Sequence, residues 1–176
     1  MEHYLLGNAL HTPGILLTLL RNVKRQRQFI NDSLGAELEA AEKTNDGSLG
    51  NDDFKKITGY YGLSVPAILG EALCTLRGEK MSLQERMALT CQGAMTGLFD
   101  DFFDKEMMAD DAVKTFMERP QELSGQNSRQ KLFLQFYIKA LQYAHDPKLM
   151  LYYLRKVYDA QIESKKQSYQ GLLTKE

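Results

Sequence analysis

The sequence predicts an all-α fold, and three observations carry that prediction. Apolar residues recur at spacings of three and four along most of the chain. Helix-capping residues and helix breakers alternate between these apolar runs, and no useful length of sequence alternates with the period of two that a strand shows. At 176 residues, with no internal repeat or linker, the chain suits one hydrophobic core. We therefore expect one domain over residues 1–176, an antiparallel bundle of about six to seven helices.

The first half of the chain predicts three helices, over residues 13–42, 51–62 and 64–77. Thr12-Pro13 is typical of a helix start, because proline lacks the N–H group that a first-turn residue leaves unbonded. Asn51 is a suitable cap for the second helix. Gly78 follows the third helix at the position where a left-handed residue commonly ends one.

The second half predicts four more helices, over residues 83–103, 111–118, 127–145 and 147–169. The start of the first is the best marked in the chain, because Ser82 and Glu85 form a capping box. In that motif the serine side chain accepts a hydrogen bond from a free backbone N–H, and the glutamate reaches back to the backbone of the serine. Pro147 marks the start of the last helix, because it directly follows an aspartate, which is a common cap, and proline suits the first helical position.

The composition excludes several classes of protein. Lysine and arginine number 22 against 23 aspartates and glutamates, and a net charge of −1 argues against general nucleic-acid binding. Cys74 and Cys91 are too few for a zinc site or a disulfide framework, and they are typical of buried thiols in a reducing compartment. The longest apolar stretch near the N-terminus, residues 15–20, is far shorter than the roughly 20 residues of a membrane span. We expect a cytoplasmic protein with no transmembrane segment and no nucleic-acid partner.

One segment carries residues that are typical of metal chemistry. Asp100, Asp101 and Asp104 lie near the C-terminal end of the capping-box helix, and the first and last of them share a face one helical turn apart. A helix C-terminus carries partial negative charge, so exposed acidic residues there cost about 0.3–1 kcal/mol each. A bound divalent cation reverses that sign. Mg²⁺ suits the pattern because it takes one or two carboxylates and completes its coordination with water and phosphate oxygens.

Two small residues lie on the same helical face as these carboxylates. Gly97 lies three residues before Asp100, and Gly93 lies four residues before Gly97. Small side chains above two carboxylates predict a helix that lines a cavity, with the bulky residues of the helix packed elsewhere. The competing interpretation is an acidic helix end that is only solvated surface.

The helix and its Asp-Asp-Phe-Phe-Asp segment resemble the first aspartate-rich motif of class I isoprenoid synthases, which include prenyltransferases, squalene and phytoene synthases and terpene cyclases. The resemblance is strongest over residues 54–105. It implies a helical bundle around an apolar cavity, where two or three Mg²⁺ ions and a bound diphosphate help to ionise a prenyl diphosphate. It assigns Asp100 and Asp104 as metal ligands, and Asp101 as a ligand or as an acceptor behind them.

The sequence departs from the family pattern at the second metal motif, which lies on a facing helix. Asp159 and Glu163 have the right four-residue step on the last predicted helix, but no hydroxyl residue of the motif lies between them. They are weak candidates for this motif. Complete family members also commonly run well beyond 176 residues. The chain is therefore expected to be a truncated or divergent member, in which a homodimer is one way to complete the site.

Other functions stay open at this point. A non-catalytic helical bundle that acts through protein–protein contacts is the main alternative, and its acidic helix end would be surface only. A carboxylate-bridged dimetal bundle is weaker, because such sites use Glu-x-x-His pairs and the sequence has none. The basic residues within 21–27 predict a solvated helical face, or a peripheral contact with an anionic membrane. Prenyl transfer and cyclisation are not distinguished.

Overall fold

The computed structural model describes residues 2–104 and 108–170, with side chains described for 12–102 and 108–164. In this part of the chain there are no strands, and the all-α single-bundle prediction is confirmed. Six helical runs make up the bundle. They are α1 (Glu2–Lys43), a composite run from Asn51 to Arg77, α5 (Leu83–Asp104), α6 (Asp110–Glu118), α7 (Ser128–Tyr143) and α8 (Pro147–Gln170), with a 3-10 turn at Pro120–Glu122.

The first helix starts earlier than the sequence predicts. α1 begins at Glu2 and carries Pro13 in its interior, so the predicted start at Thr12-Pro13 is wrong. Proline is compatible with a first helical turn but does not require one. A single interior proline removes one backbone hydrogen bond, and the helix continues where the residues on both sides favour it. One turn later the hydroxyl of Thr18 donates to the Gly14 carbonyl at 2.9 Å.

The composite run from Asn51 to Arg77 replaces the two predicted helices over 51–62 and 64–77. It contains α2 (Asn51–Lys55), α3 (Tyr61–Ser64) and α4 (Glu71–Arg77), separated by π-helical turns at Lys56–Tyr60 and Val65–Gly70. A π turn holds one extra residue, which widens the helix without ending it.

The composite run continues through Gly62 and Pro66 without breaking, because both residues fit the π turns. A Cβ at Gly62 would lie nearer to the Ile57 carbonyl oxygen than van der Waals contact allows, so a glycine suits the end of the first π turn. Pro66 lies in the second π turn, where the local distortion of the hydrogen-bond ladder accommodates its missing N–H. Both residues lie inside a continuous helical run here, whereas the sequence predicts one helix that ends at residue 62 and another that starts at residue 64.

Asn51 is the first residue of α2 and not its cap, which is Gly50, with its N–H donating to Asp53 Oδ2 at 2.7 Å. The ends at Gly78 and Ser82 agree with the local signals. Gly78 is left-handed with φ of 77°, and the Glu79 N–H bonds to the Cys74 carbonyl at 3.0 Å, which closes α4. The predicted capping box at α5 is confirmed, since the Ser82 N–H donates to Glu85 Oε2 at 2.8 Å and the Glu85 N–H donates to Ser82 Oγ at 3.1 Å.

We expect Glu85→Gln to lower stability at neutral pH and to have a much smaller effect in strong acid. The Ser82 backbone bond and the Arg77 side chain hold the pKa of Glu85 at about 2, below its ordinary 4.5. A depressed folded-state pKa contributes stability above pH 4.5 that is lost as pH falls toward 2. The side chains of Arg77 and Glu85 are 48% and 33% exposed, so water screens their interaction. The loss of unfolding free energy at neutral pH should therefore stay below about 1 kcal/mol. Urea unfolding of both proteins at pH 7 and pH 2.5 measures it, and a loss that is equal at both pH values would contradict it.

The core lies where α5 packs along α7, with α1, α6 and α8 around them. The predicted packing residues of α5 are confirmed, because Met95, Leu98, Phe99 and Phe102 are all buried. Phe102 and Phe133 meet edge to face with ring centroids 4.8 Å apart. Cys74 and Cys91 are both buried thiols, as expected. Within the described residues, no helix combines the length and hydropathy that crossing a bilayer requires.

Candidate functional site

Asp100 lies in the last turn of α5 with its side chain half-buried. Its Oδ1 accepts a hydrogen bond from the Gln161 side-chain amide of α8 at 3.0 Å. Among the residues that the structure describes, no lysine, arginine or histidine lies within ion-pair distance of this carboxylate. The partner of the Asp100 carboxylate is therefore an uncharged hydrogen-bond donor. The carboxylate also lies at a helix end that is itself partly negative, which disfavours its charge.

Asp101, one residue later, points into the protein and is 2% exposed. The Lys56 ammonium donates to its Oδ1 at 2.7 Å, and the Arg129 Nε lies 4.0 Å from its Oδ2. Arg129 also donates to Asp53 Oδ2 at 3.1 Å. We call Asp53, Lys56, Asp101 and Arg129 the buried ionic cluster. It joins α2, the first π turn, α5 and α7.

Asp101, predicted as a metal ligand or as an acceptor behind the ligands, has cationic side chains as its partners in the structure. A helical step of 100° turns Asp101 off the face of Asp100 and toward Lys56 and Arg129. Its carboxylate is thereby neutralised by cationic side chains of the chain itself, so its place in the fold is that of a buried ion-pair partner. Asp104 is the last residue of α5, and its side chain lies outside the described residues. The helix is continuous to that position, so the backbones of Asp100 and Asp104 are one turn apart.

The space beside the two glycines of α5 is filled, which corrects the prediction that they line a cavity. A Cβ on Gly93 would lie 2.8 Å from the Tyr61 carbonyl carbon and closer still to its oxygen. A Cβ on Gly97 would lie 2.9 Å from Tyr61 Cδ2 and 3.0 Å from the Cβ of Lys56. Only glycine fits at these two positions, because the composite run packs directly against α5 there.

The two weak candidates for a second motif lie on α8 near Asp100 but face elsewhere. Asp159 and Glu163 are both exposed, and Gln161, between them in sequence, is the residue that contacts Asp100. Each of the two lies two residues from Gln161, a rotation of about 200° around a helix. The structure thus brings α8 to the end of α5 but places these two carboxylates on its opposite side.

A second buried polar network lies nearer the N-terminal end of α5. Gln26 is fully buried, and its amide donates to Thr90 Oγ1 at 2.8 Å and to the Gly62 carbonyl at 3.0 Å. Arg86 donates to Gln26 Oε1 at 2.9 Å and also pairs with Glu71. Gln26 therefore ties α1 to the composite run and α5, whereas the sequence analysis placed it on a solvated basic face.

Sequence reasoning missed Gln161, Lys56 and Arg129 as neighbours of the aspartate segment. They lie 61, 45 and 28 residues away along the chain, counting from the aspartate that each contacts. None belongs to a short motif, and each fits an ordinary polar position of an amphipathic helix. The capping geometry of α7, where Asn127 Oδ1 accepts from the Gln130 N–H at 2.8 Å, places Arg129 in the first turn of that helix.

Comparison with known proteins adds no further constraint on this site. The chain matches no protein-family model, no curated protein and no solved structure. Its function is therefore inferred from the residues and their geometry.

Proposed function

We propose that the C-terminal end of α5 binds Mg²⁺ together with a diphosphate group through Asp100 and Asp104, and that the substrate is a prenyl diphosphate. The observation that carries the proposal is the contrast between neighbouring aspartates. Lys56 and Arg129 neutralise Asp101, whereas the partner that Asp100 has among the described residues is a neutral donor, Gln161. The described part of the chain thus supplies cations to one carboxylate and not to the next.

The electrostatics of the helix end support a cation beside Asp100. The carboxylate is half-buried, which weakens its hydration, and it sits in the last turn, where the free carbonyls of the helix are partly negative. Asp104 adds a second negative charge one turn later, and like charges at this spacing repel by about 0.2–0.5 kcal/mol. A divalent cation makes all of these interactions favourable.

In this proposal each residue has a distinct task. Asp100 and Asp104 would hold Mg²⁺, and Gln161 fixes the orientation of the Asp100 carboxylate through Oδ1. Asp101 anchors the last turn of α5 to Lys56 and Arg129. A Mg²⁺ ion held there would supply positive charge for the diphosphate leaving group of a prenyl substrate.

Thermal unfolding with Mg²⁺ and inorganic diphosphate, added separately and together, tests the proposal. A ligand at about 100 times its Kd adds about 2.7 kcal/mol of stability, which is a clear rise in Tm. We expect that rise when both ligands are present and not with diphosphate alone. In the double variant Asp100→Asn/Asp104→Asn the rise should be absent.

The matched control is Asp159→Asn/Glu163→Gln, which removes two carboxylates at the same helical step from the exposed side of α8. It should keep the full rise. A rise that persists in the Asp100/Asp104 variant, or no rise in the unmodified chain, would overturn the proposal. With the site established, release of diphosphate from a prenyl diphosphate is the assay for the substrate.

A further inference from the structure

The N-terminal half of α1 exposes apolar side chains around most of its circumference. Ile15, Leu16, Leu17 and Leu20 are each more than half exposed. At 100° per residue these four positions span about 200° of the helix. A helix that is apolar over so much of its surface is normally covered on more than one side. The described part of this chain covers it on one side only, through the second π turn and α4.

A second set of exposed apolar residues lies beside it. These residues belong to the second π turn and α4 and are Ile68, Leu69, Leu73 and Leu76. An open groove of about 830 Å³ runs between the two helices, with Ile15 and Leu19 on one wall and Ile68 and Leu76 on the other. Together the two sets form what we call the α1–α4 surface.

We propose that a second copy of the chain covers the α1–α4 surface, so that the protein is a symmetric dimer. Burying one large aliphatic side chain removes roughly 60–120 Å² from water. The eight residues of the surface are on average about 60% exposed, so they still offer roughly 300–600 Å² of apolar area. A standard protein–protein interface buries about 800 Å² per partner, of which a little over half is non-polar, so this surface supplies the non-polar share of a stable dimer interface.

The charges next to the surface select the relative direction of the two copies. Arg21, Lys24, Arg25 and Arg27 follow directly after the exposed leucines. A parallel pair of α1 helices would set these cations against their own copies. An antiparallel pair centred on Leu17 sets them against residues 7–13, which contain no lysine, arginine, aspartate or glutamate. A two-fold axis across α1 generates this arrangement.

The shape of the surface favours a protein over a membrane as the occupant. Basic residues beside an apolar helix also suit an anionic bilayer, where one apolar face lies in a plane. Here Ile15 and Leu19 face into a groove whose far wall is Ile68 and Leu76. A flat lipid surface leaves that groove unfilled, whereas the side chains of a second helix pair can enter it.

Light scattering after size exclusion, over a range of protein concentrations, tests the proposal. The unmodified chain should have twice its mass of 20.1 kDa. Leu16→Gln/Leu20→Gln should raise the dissociation constant about 100-fold and yield the monomer, because each copy loses two buried leucines. Both leucines are exposed in the single chain, so helical circular dichroism should not change. The matched control is Leu149→Gln/Val157→Gln on α8, whose residues are similarly exposed and which should leave the dimer intact.

Two outcomes would overturn the proposal that a second copy covers the α1–α4 surface. One is a monomer at every concentration, in which case binding of the unmodified chain to phosphatidylserine vesicles, lost in Leu16→Gln/Leu20→Gln, would identify a membrane as the occupant. The other is a dimer that the α1 substitutions leave unchanged or that the α8 control dissociates. The dimer does not depend on the proposed metal site, so Asp100→Asn/Asp104→Asn should remain dimeric.

Discussion

Replacing Arg129 with methionine is expected to destabilise the protein by about 3–5 kcal/mol. Asp53 is fully buried and Asp101 is 2% exposed, and both carboxylates contact the Arg129 guanidinium. Methionine keeps much of the side-chain volume but leaves Asp53 without the guanidinium that neutralises it. Breaking a buried pair on one side costs far more than the pair contributes as a whole, because the remaining charge stays out of water. Urea unfolding at pH 7 measures the loss.

An exposed arginine on the same protein provides the control. Arg119 pairs with Glu122 at 3.8 Å, and both side chains are more than 60% exposed. Arg119→Met should therefore cost less than about 1 kcal/mol. Adding Asp53→Asn to Arg129→Met should recover part of the larger loss, because it removes the buried charge that the first substitution leaves behind. A cost for Arg129→Met as small as that for Arg119→Met would mean that the cluster is hydrated and not buried.

The buried ionic cluster explains how one helical turn contains carboxylates with different environments. Arg129 and Lys56 reach α5 from the side where Asp101 points, and Gln161 reaches it from α8, where Asp100 points. The aspartate segment is therefore not a uniform acidic patch. Asp101 joins α5 to the first π turn and to α7, and its neighbour Asp100 keeps a charge that the described chain does not neutralise.

The helices were predictable where their signals are local. A capping box spans four residues, and a left-handed glycine acts on the turn before it, so the starts and ends near Ser82, Gly78 and Pro147 follow from adjacent residues alone. Pro13, Gly62 and Pro66 carry local signals of the same kind, but here helices continue through them. At Gly62 and Pro66 the helical run continues by way of π turns that pack against α5, and no adjacent residue encodes that packing.

The position of the aspartate segment on α5 was predictable from the sequence, whereas the residues that contact it were not. The step from Asp100 to Asp104 is a property of one helix, so the sequence is sufficient to identify it. The separation of Asp53 from Arg129 is 76 residues, and no short pattern connects them. The spacing of Gly93 and Gly97 identified the correct face of α5, but only the fold shows that Tyr61 fills the space beside them.

Gly93→Ala is expected to destabilise the protein by about 3 kcal/mol, because the new methyl group would overlap the Tyr61 carbonyl group. Backbone cannot rotate away as a flexible side chain can, so α5 and the composite run would have to separate along their contact. Alanine by itself favours a helix over glycine by about 1 kcal/mol, and the overlap must exceed that gain.

The control is Gly35→Ala in α1, where an added Cβ meets nothing within 4 Å. It should stabilise the protein by up to about 1 kcal/mol through helix propensity alone. Both substitutions add the same methyl group to a helix interior, so the difference between their unfolding free energies measures the contact with Tyr61. Equal effects of the two substitutions would mean that the space beside Gly93 is open. A helix face bordered by open space would then restore the cavity that the spacing of small residues predicts.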